Sequence, residues 1–278
     1  MATDGATRRA IVITGSTRGI GLGMARAFLE RGCSVCVSGR SAEALASALA
    51  ELGPLAARHG GRVIGQSCDV ADYAQVEALW AAAARAFGRV DVWINNAAQT
   101  NSRRPVGELP PQELRGIAEA NLLGTLNASQ VVVRELQRQP GGGFLYNFEG
   151  FGSNGMVSPG MSAYGASKAA VTYFTKCLVK ETAGTPARVG YIMPGIVVTD
   201  LSMAAFDEDP VARARVARIY NILADTVDTV APWLAERVLA NDRHGARISW
   251  LTTPKAAGRF LGALFRKREV ISAYRPGA

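Results

Sequence analysis

Short β-rich apolar runs alternate with longer stretches of helical period over most of this chain, and that alternation limits its fold more than any other feature. Strands are predicted over 10–14, 34–38, 62–66, 90–94, 143–147 and 188–192. Between the first two, Ile20, Met24, Ala27 and Phe28 fall on one helical face. Strands separated by helices of this length have to lie parallel, with right-handed crossovers that cover both faces of the sheet. The expected fold class is α/β: a doubly wound parallel sheet with helices on both faces and a C-terminal helical extension.

The 278 residues read as a single domain over 1–278. Past Thr199 the alternation loosens, so a substrate-side helical insertion is expected over 200–240, interrupted by Pro210 and Pro232. Residues 246–251 read as a last strand. Thr253-Pro254 then opens a helix as a cap followed by proline, giving a C-terminal helix and tail over 253–278 whose last ten residues are expected to be loose.

Composition excludes several classes. Hydrophobic residues at 48% and charged residues at 19% rule out a disordered chain. The net charge of +8 is spread along helices, apart from Arg266-Lys267-Arg268, so no nucleic-acid partner is expected. That cluster either complements the dipole of the C-terminal helix or makes peripheral contact with an anionic membrane. No apolar run is long enough to span a bilayer, and no secretory h-region precedes Ile11, so the chain reads as cytosolic. Cys33-x-x-Cys36 lies along a strand and predicts buried, reduced thiols; two histidines leave no metal site.

The first strand runs into Thr14-Gly15-Ser16-Thr17-Arg18-Gly19-Ile20-Gly21. Glycines permit a tight turn and close approach to a pyrophosphate, while the helix N-terminus offers unpaired N–H groups and partial positive charge. The same residues also suit a plain turn, and the strand-turn-helix setting favours the dinucleotide. Where an enzyme specific for NAD keeps an acid for the ribose 2′-hydroxyl, this chain has Gly39-Arg40-Ser41. Arg40, with Arg18, suits the 2′-phosphate of NADPH or NADP+. Asp69, followed by Val70, either accepts from the adenine amino group or caps the next helix.

Tyr164 and Lys168 stand one helical turn apart, where an ammonium favours phenolate and draws a phenol pKa of about 10 toward working pH. Such a tyrosine passes a proton to or from a substrate oxygen. Asn121, and Asn95-Asn96-Ala97 after the fourth strand, are by themselves ordinary cap or turn residues.

In combination, these motifs resemble the short-chain dehydrogenase/reductase family: the glycine turn at 14–21, Asn95-Asn96-Ala97, Asn121, Tyr164 with Lys168, and Pro194-Gly195 followed by Thr199. The resemblance implies a Rossmann-type fold, NAD(P)-dependent hydride transfer and a homodimer or homotetramer. It assigns Tyr164 as acid/base, Lys168 to the nicotinamide ribose and to lowering the Tyr164 pKa, and Asn121 to a proton-relay water. Ile196 and Thr199 would meet the nicotinamide carboxamide, with Asn95, Ala97, Pro194 and Gly195 along the cofactor. Two departures stand out. Ala98 replaces the usual glycine after Asn-Asn-Ala, and Phe151 occupies the usual serine position. Ser153 is the expected substitute donor, with Glu149 as an alternative polar partner.

The segment Asn147-Phe-Glu-Gly-Phe-Gly-Ser153, Ile94 to Asn101, Asp225-Thr-Val and Trp250-Leu-Thr-Thr-Pro254 narrow the resemblance to chlorophyll b reductases. These use NADPH to reduce a formyl group of a tetrapyrrole, and with no transit peptide ahead of the domain a compact, bacterial-type relative is expected. The substrate implied is a lipophilic carbonyl, first a chlorophyll b-type tetrapyrrole, then a keto-lipid or steroid. A nucleotide-binding sensor without turnover is the alternative from another class.

Overall fold

The computed structural model describes residues 8–204 and 210–271. Its strands are β1 (Ala10–Ile13), β2 (Ser34–Gly39), β3 (Val63–Ser67), β4 (Val92–Asn95), β5 (Gly143–Phe148), β6 (Ala187–Met193), β7 (Val197–Val198), β8 (Asp225–Thr226) and β9 (Arg247–Ser249). Its helices are α1 (Gly19–Leu29), α2 (Ala42–Arg58), α3 (Tyr73–Phe87), α4 (Pro111–Ile117), α5 (Gly124–Arg138), α6 (Ser162–Glu181), α7 (Asp200–Ala204), α8 (Pro210–Leu223), α9 (Val227–Ala240) and α10 (Thr253–Gly262).

Seven strands form one parallel sheet in the order β3-β2-β1-β4-β5-β6-β9, and β7 pairs with β8 separately. Ile11 of β1 sits in register with Val35 of β2 and Val92 of β4. The central strands carry apolar residues on both faces because both faces are covered. Ile11, Ile13, Val35 and Val37 pack against Phe28, Leu52 and Leu234 on one side; Val12, Cys36 and Trp93 pack against Leu79, Val132 and Leu136 on the other. The chain reverses its direction of winding between β1 and β4, and in open parallel sheets the crevice outside the strand carboxyl ends at such a reversal binds ligands. Cys33 and Cys36 are buried thiols, with burial pushing them up to about 11 and about 12.

The region after Thr199 departs from expectation. Pro210 begins α8, the residues between it and α7 lying outside the described ones, but α9 continues through Pro232. Pro232 lies in the second turn of α9, so the carbonyl it leaves without an N–H partner belongs to the solvent-exposed Asp228. Within the insertion expected over 200–240, α9 belongs to the core. Val230, Ala231, Leu234, Ala235 and Val238 are buried in the core beneath α1, where Gly23 lets Ala231 close in: a Cβ at Gly23 would stand 3.0 Å from that of Ala231.

The basic cluster at 266–268 is divided. Arg266 and Lys267 are exposed, but Arg268 turns inward and donates to the carbonyls of Ile222 (2.6 Å) and Ala224 (3.0 Å). It also pairs with Asp225 at 2.8 Å, as Arg259 does at 2.7 Å, while Trp250 Nε1 donates to the same carboxylate at 2.6 Å. Asn221 Oδ1 accepts from the N–H groups of Val270 (2.9 Å) and Ile271 (3.1 Å), so the segment after α10 is fastened to the end of α8. Of the tail expected to be loose, 272–278 lie outside the described residues. Among the described residues no helix is long and apolar enough to cross a membrane, and no group of side chains could hold a metal ion.

Removing one partner of a buried ion pair leaves the other uncompensated, at a cost of about 3–5 kcal/mol. Asp225→Ala leaves two guanidiniums with only carbonyl acceptors, and its unfolding free energy is expected to fall toward that order, read as a lowered denaturation midpoint. An unchanged midpoint would show that α8 and the C-terminal segment are held by other contacts.

Candidate active site

The cleft begins at the glycine turn. Gly15 and Gly19 have φ of 61° and 57°, a region open to glycine at little cost. Gly15 also has no room for a side chain, since a Cβ there would lie 2.7 Å from Ala97 Cα, and one on Gly21 would lie 2.6 Å from Asn96 Nδ2. Asn96 locks the turn, its amide donating to the carbonyls of Thr14 and Gly15 (both 2.9 Å) and its backbone N–H to Thr14 Oγ1 (3.0 Å). No side chain caps the start of α1 after Arg18, so its first N–H groups remain open to an anion.

A cleft of about 1070 Å³ lies over this turn. Gly15, Thr17, Arg18, Gly19, Ile20, Gly21, Arg40, Asp69, Val70, Ala97, Ala98 and Thr199 line it. Other expected contacts face elsewhere. Ser16 is fully buried, donating to Ile13 O (2.7 Å) and accepting from Ser38 N (3.0 Å), so it stitches β1 to β2. Asn95 points into the core, where it donates to Asn147 (2.8 Å) and Ser129 (3.2 Å) and accepts from Trp93 Nε1 (2.8 Å). Asn96, which sequence reasoning passed over, is the asparagine at the cleft. Asp72, not Asp69, caps α3; Asp69 accepts from Ala71 N (3.0 Å) and stays at the cleft rim. Pro194, Gly195 and Ile196 lie in the turn leading to β7, and Gly195, at φ 73°, packs on Leu251.

Asn121 sits in a π-helical turn, Ala118–Leu123, between α4 and α5. It is fully buried, accepting from Gln99 N (2.7 Å) and donating to Gln99 O (2.9 Å) and Ser167 Oγ (3.0 Å). It thereby ties the chain after β4 to α6, which carries Tyr164 and Lys168. Lys168 Nζ donates to Phe148 O at 3.1 Å and stands 5.9 Å from the centre of the Tyr164 ring. Burial holds Lys168 down at about 8. Burial, with Tyr220 adding to it, pushes Tyr164 up to about 12. Burial, rather than the ammonium one turn on, sets the direction of the phenol in this structure. A neutral phenol is the form that donates a proton.

Ser153 does not take the place of the missing serine. Its hydroxyl accepts from Gly150 N (3.1 Å) and donates to Lys168 O (3.3 Å), and among the described residues it makes no hydrogen bond to Tyr164. The position that faces the phenol is Gly150, where a Cβ would lie 2.6 Å from Tyr164 Oη. Glu149 turns away, accepting from Thr172 Oγ1 (2.9 Å) and pairing with Arg247 (3.0 Å); burial raises its pKa against the pull of Arg247.

The profile of the family described as short chain dehydrogenase matches residues 9–210. The chain is a short-chain dehydrogenase. It is thus an oxidoreductase of a family that uses a nicotinamide cofactor. A probable chloroplastic chlorophyll(ide) b reductase of Oryza sativa subsp. japonica is 32% identical over 260 residues, covering 89% of this chain and 50% of the relative. A second chloroplastic chlorophyll(ide) b reductase, from Arabidopsis thaliana, is 33% identical over 88% of this chain and 71% of its own length. The short-chain dehydrogenase described here spans about half the length of the first kind of relative. A 3alpha-hydroxysteroid dehydrogenase of Mediterraneibacter gnavus is 33% identical over 69% of this chain and 75% of its own. Levodione reductase superposes with a TM-score of 0.78 at 23% identity, covering 90% of this chain and 98% of that structure, which establishes the Rossmann-like fold.

The depressed Lys168 pKa makes this short-chain dehydrogenase's stability pH-dependent. Between about 8 and 10.5 the unfolded chain keeps a proton on Lys168 that the folded chain has lost, so stability rises with pH across that window. Below it the full penalty applies. Measured against Lys168→Met, the unaltered protein is expected to gain in melting temperature from pH 8 to pH 10; parallel profiles for the two would contradict the buried ammonium.

Proposed function

We propose that the chain is an NADPH-dependent carbonyl reductase that acts on the formyl group of a chlorophyll b-type tetrapyrrole. The residues present fit such a cofactor. The side-chain-free turn at Gly15 and the open start of α1 would hold the pyrophosphate. Arg18 and Arg40, both exposed on the cleft and free of ion pairs among the described residues, would take the 2′-phosphate. When bound, NADPH supplies a hydride from its nicotinamide to the carbonyl carbon.

The chain's own residues manage the proton. Tyr164, kept neutral by burial, gives its proton to the carbonyl oxygen as the carbon is reduced, leaving an alcohol. Lys168 lies beside the resulting phenolate, stabilises it and bears on its return of a proton from solvent. Asn121 holds the Gln99 backbone and Ser167 in place around this pair.

The choice of substrate rests on one observation. Similarity to chlorophyll(ide) b reductases runs over 88–91% of the chain, whereas the steroid dehydrogenase matches 69%. The added coverage supports a shared substrate-side region as well as a shared cofactor half.

With NADPH, the protein is expected to convert chlorophyllide b to its 7-hydroxymethyl product, seen as a blue-shifted Soret band and a new chromatographic peak. Tyr164→Phe should lower turnover by roughly 10²–10⁴ with cofactor affinity kept. Inertness toward chlorophyll b and chlorophyllide b, with ready reduction of a steroid or keto-lipid, would refute the tetrapyrrole reading. NADPH should bind more tightly than NADH, and Arg40→Asp should shrink or reverse that preference; equal dissociation constants in the unaltered protein would refute the choice of cofactor.

A further inference from the structure

A helix on a protein surface ordinarily turns its apolar stripe toward the core and its charges toward water. α10 does the reverse. Lys255 lies on the ring of Trp250, its Nζ 3.0 Å from the ring centre, and Arg259 reaches inward to Leu223 O (2.7 Å) and Asp225 (2.7 Å). Phe260, Leu261 and Leu264, at i, i+1 and i+4, share the outward side, and Phe265 follows them. The winding carries past Gly262, with Ala263 N donating to Arg259 O and Arg266 N to Gly262 O (both 2.9 Å). No residue of α10 is buried; Leu261 is 64% exposed, Leu264 76% and Phe265 90%.

Single exposed apolar side chains are ordinary, but a contiguous apolar strip held in place against water marks a contact surface. This strip is held in place, because Arg259 before it and Arg268 after it share the Asp225 carboxylate. Charge decides which surface it meets. Arg266 and Lys267 are exposed at its end, and the sequence has no Asp or Glu between Asp242 and Glu269. A second copy seated on the same face about a two-fold axis would bring these cations toward their own copies, with no acid on the strip to pair them. A bilayer with anionic headgroups suits both parts: the acyl region receives the apolar side chains and the headgroups receive the cations.

We infer that α10 and the turn after it dock this protein on the surface of an anionic bilayer, lying in the plane of the interface rather than crossing it. The apolar side chains carry the contact, with only two of the three clustered cations beside them, since Arg268 is turned inward to the carbonyls of Ile222 and Ala224. Val270, on the segment that Asn221 fastens, lines the cleft. The docked strip and the cleft are therefore joined by one short, anchored stretch of chain. The inference goes beyond the reaction proposed above and does not depend on its substrate.

The test co-sediments the unaltered protein and two double variants, Leu264→Ser with Phe265→Ser and Arg266→Gln with Lys267→Gln, with phosphatidylcholine vesicles that either contain phosphatidylglycerol or lack it, at low salt. All four side chains are exposed, so both variants should keep the melting temperature of the unaltered protein. That protein is expected to sediment with the vesicles containing phosphatidylglycerol and to stay in solution with those of phosphatidylcholine alone. Losing Leu264 and Phe265 should abolish binding, and losing the two cations should weaken it roughly tenfold to thirtyfold. Added salt should weaken it as well. No sedimentation with either vesicle, equal sedimentation with both, or binding that survives Leu264→Ser with Phe265→Ser would overturn the inference. Sedimentation velocity without lipid decides the competing occupant. An assembly that falls to a smaller one in the Leu264→Ser, Phe265→Ser variant would assign the strip to a second copy and likewise overturn the inference.

Discussion

A turn with no room for side chains sets the geometry of the whole site. β1 and α1 can be joined this tightly only because Gly15 and Gly21 bring backbone against Ala97, Asn96 and Ser16. The contact fixes how far the strand end after β4 stands from the strand end after β1, which is the width of the crevice where the sheet reverses its winding. Thr14 and Asn96 then lock the two ends together by side-chain hydrogen bonds, so the cleft is held open by the same interaction that closes the turn. A bulkier residue at Gly15 would move both edges at once.

The polar frame behind Tyr164 stores electrostatic cost. Lys168 and Glu149 are buried close to one another at the end of β5 and start of α6, each held away from its ordinary pKa by desolvation. Such groups weaken the fold and are retained where chemistry uses them. Here the cost is offset by a dense polar frame: Phe148 O receives the ammonium, Thr172 and Arg247 the carboxylate, and Asn121 braces α6 through Ser167. Asp225 does the same for the C-terminal side, drawing two arginines and Trp250 onto one carboxylate.

The fold was legible because a sheet covered on both faces writes itself as apolar runs separated by helical periods, and every strand predicted from that pattern is present within a residue or two. The glycine turn and the Tyr164–Lys168 pair were legible for a similar reason, since local spacing determines what they do. What failed was whatever depends on packing across the chain. Asn95 and Asn96 look alike in sequence, but a strand's alternation sends the first into the core and frees the second for the turn. Counting back from Tyr164 led to Phe151 and then Ser153, whereas the loop places Gly150 on the phenol. Arg268 carries no local signal, because its partners lie on another segment of the chain.

The central claim is that this crevice delivers a hydride to a carbonyl carbon while Tyr164 supplies the proton. It is tested most directly by following isotopes into the product with NADPH deuterated at the transferring position of its nicotinamide. The account predicts that chlorophyllide b is reduced to an alcohol carrying that deuterium on the former formyl carbon, with the hydroxyl hydrogen drawn from solvent. An alcohol with solvent hydrogen on that carbon, or deuterated cofactor left intact while substrate is consumed, would contradict it.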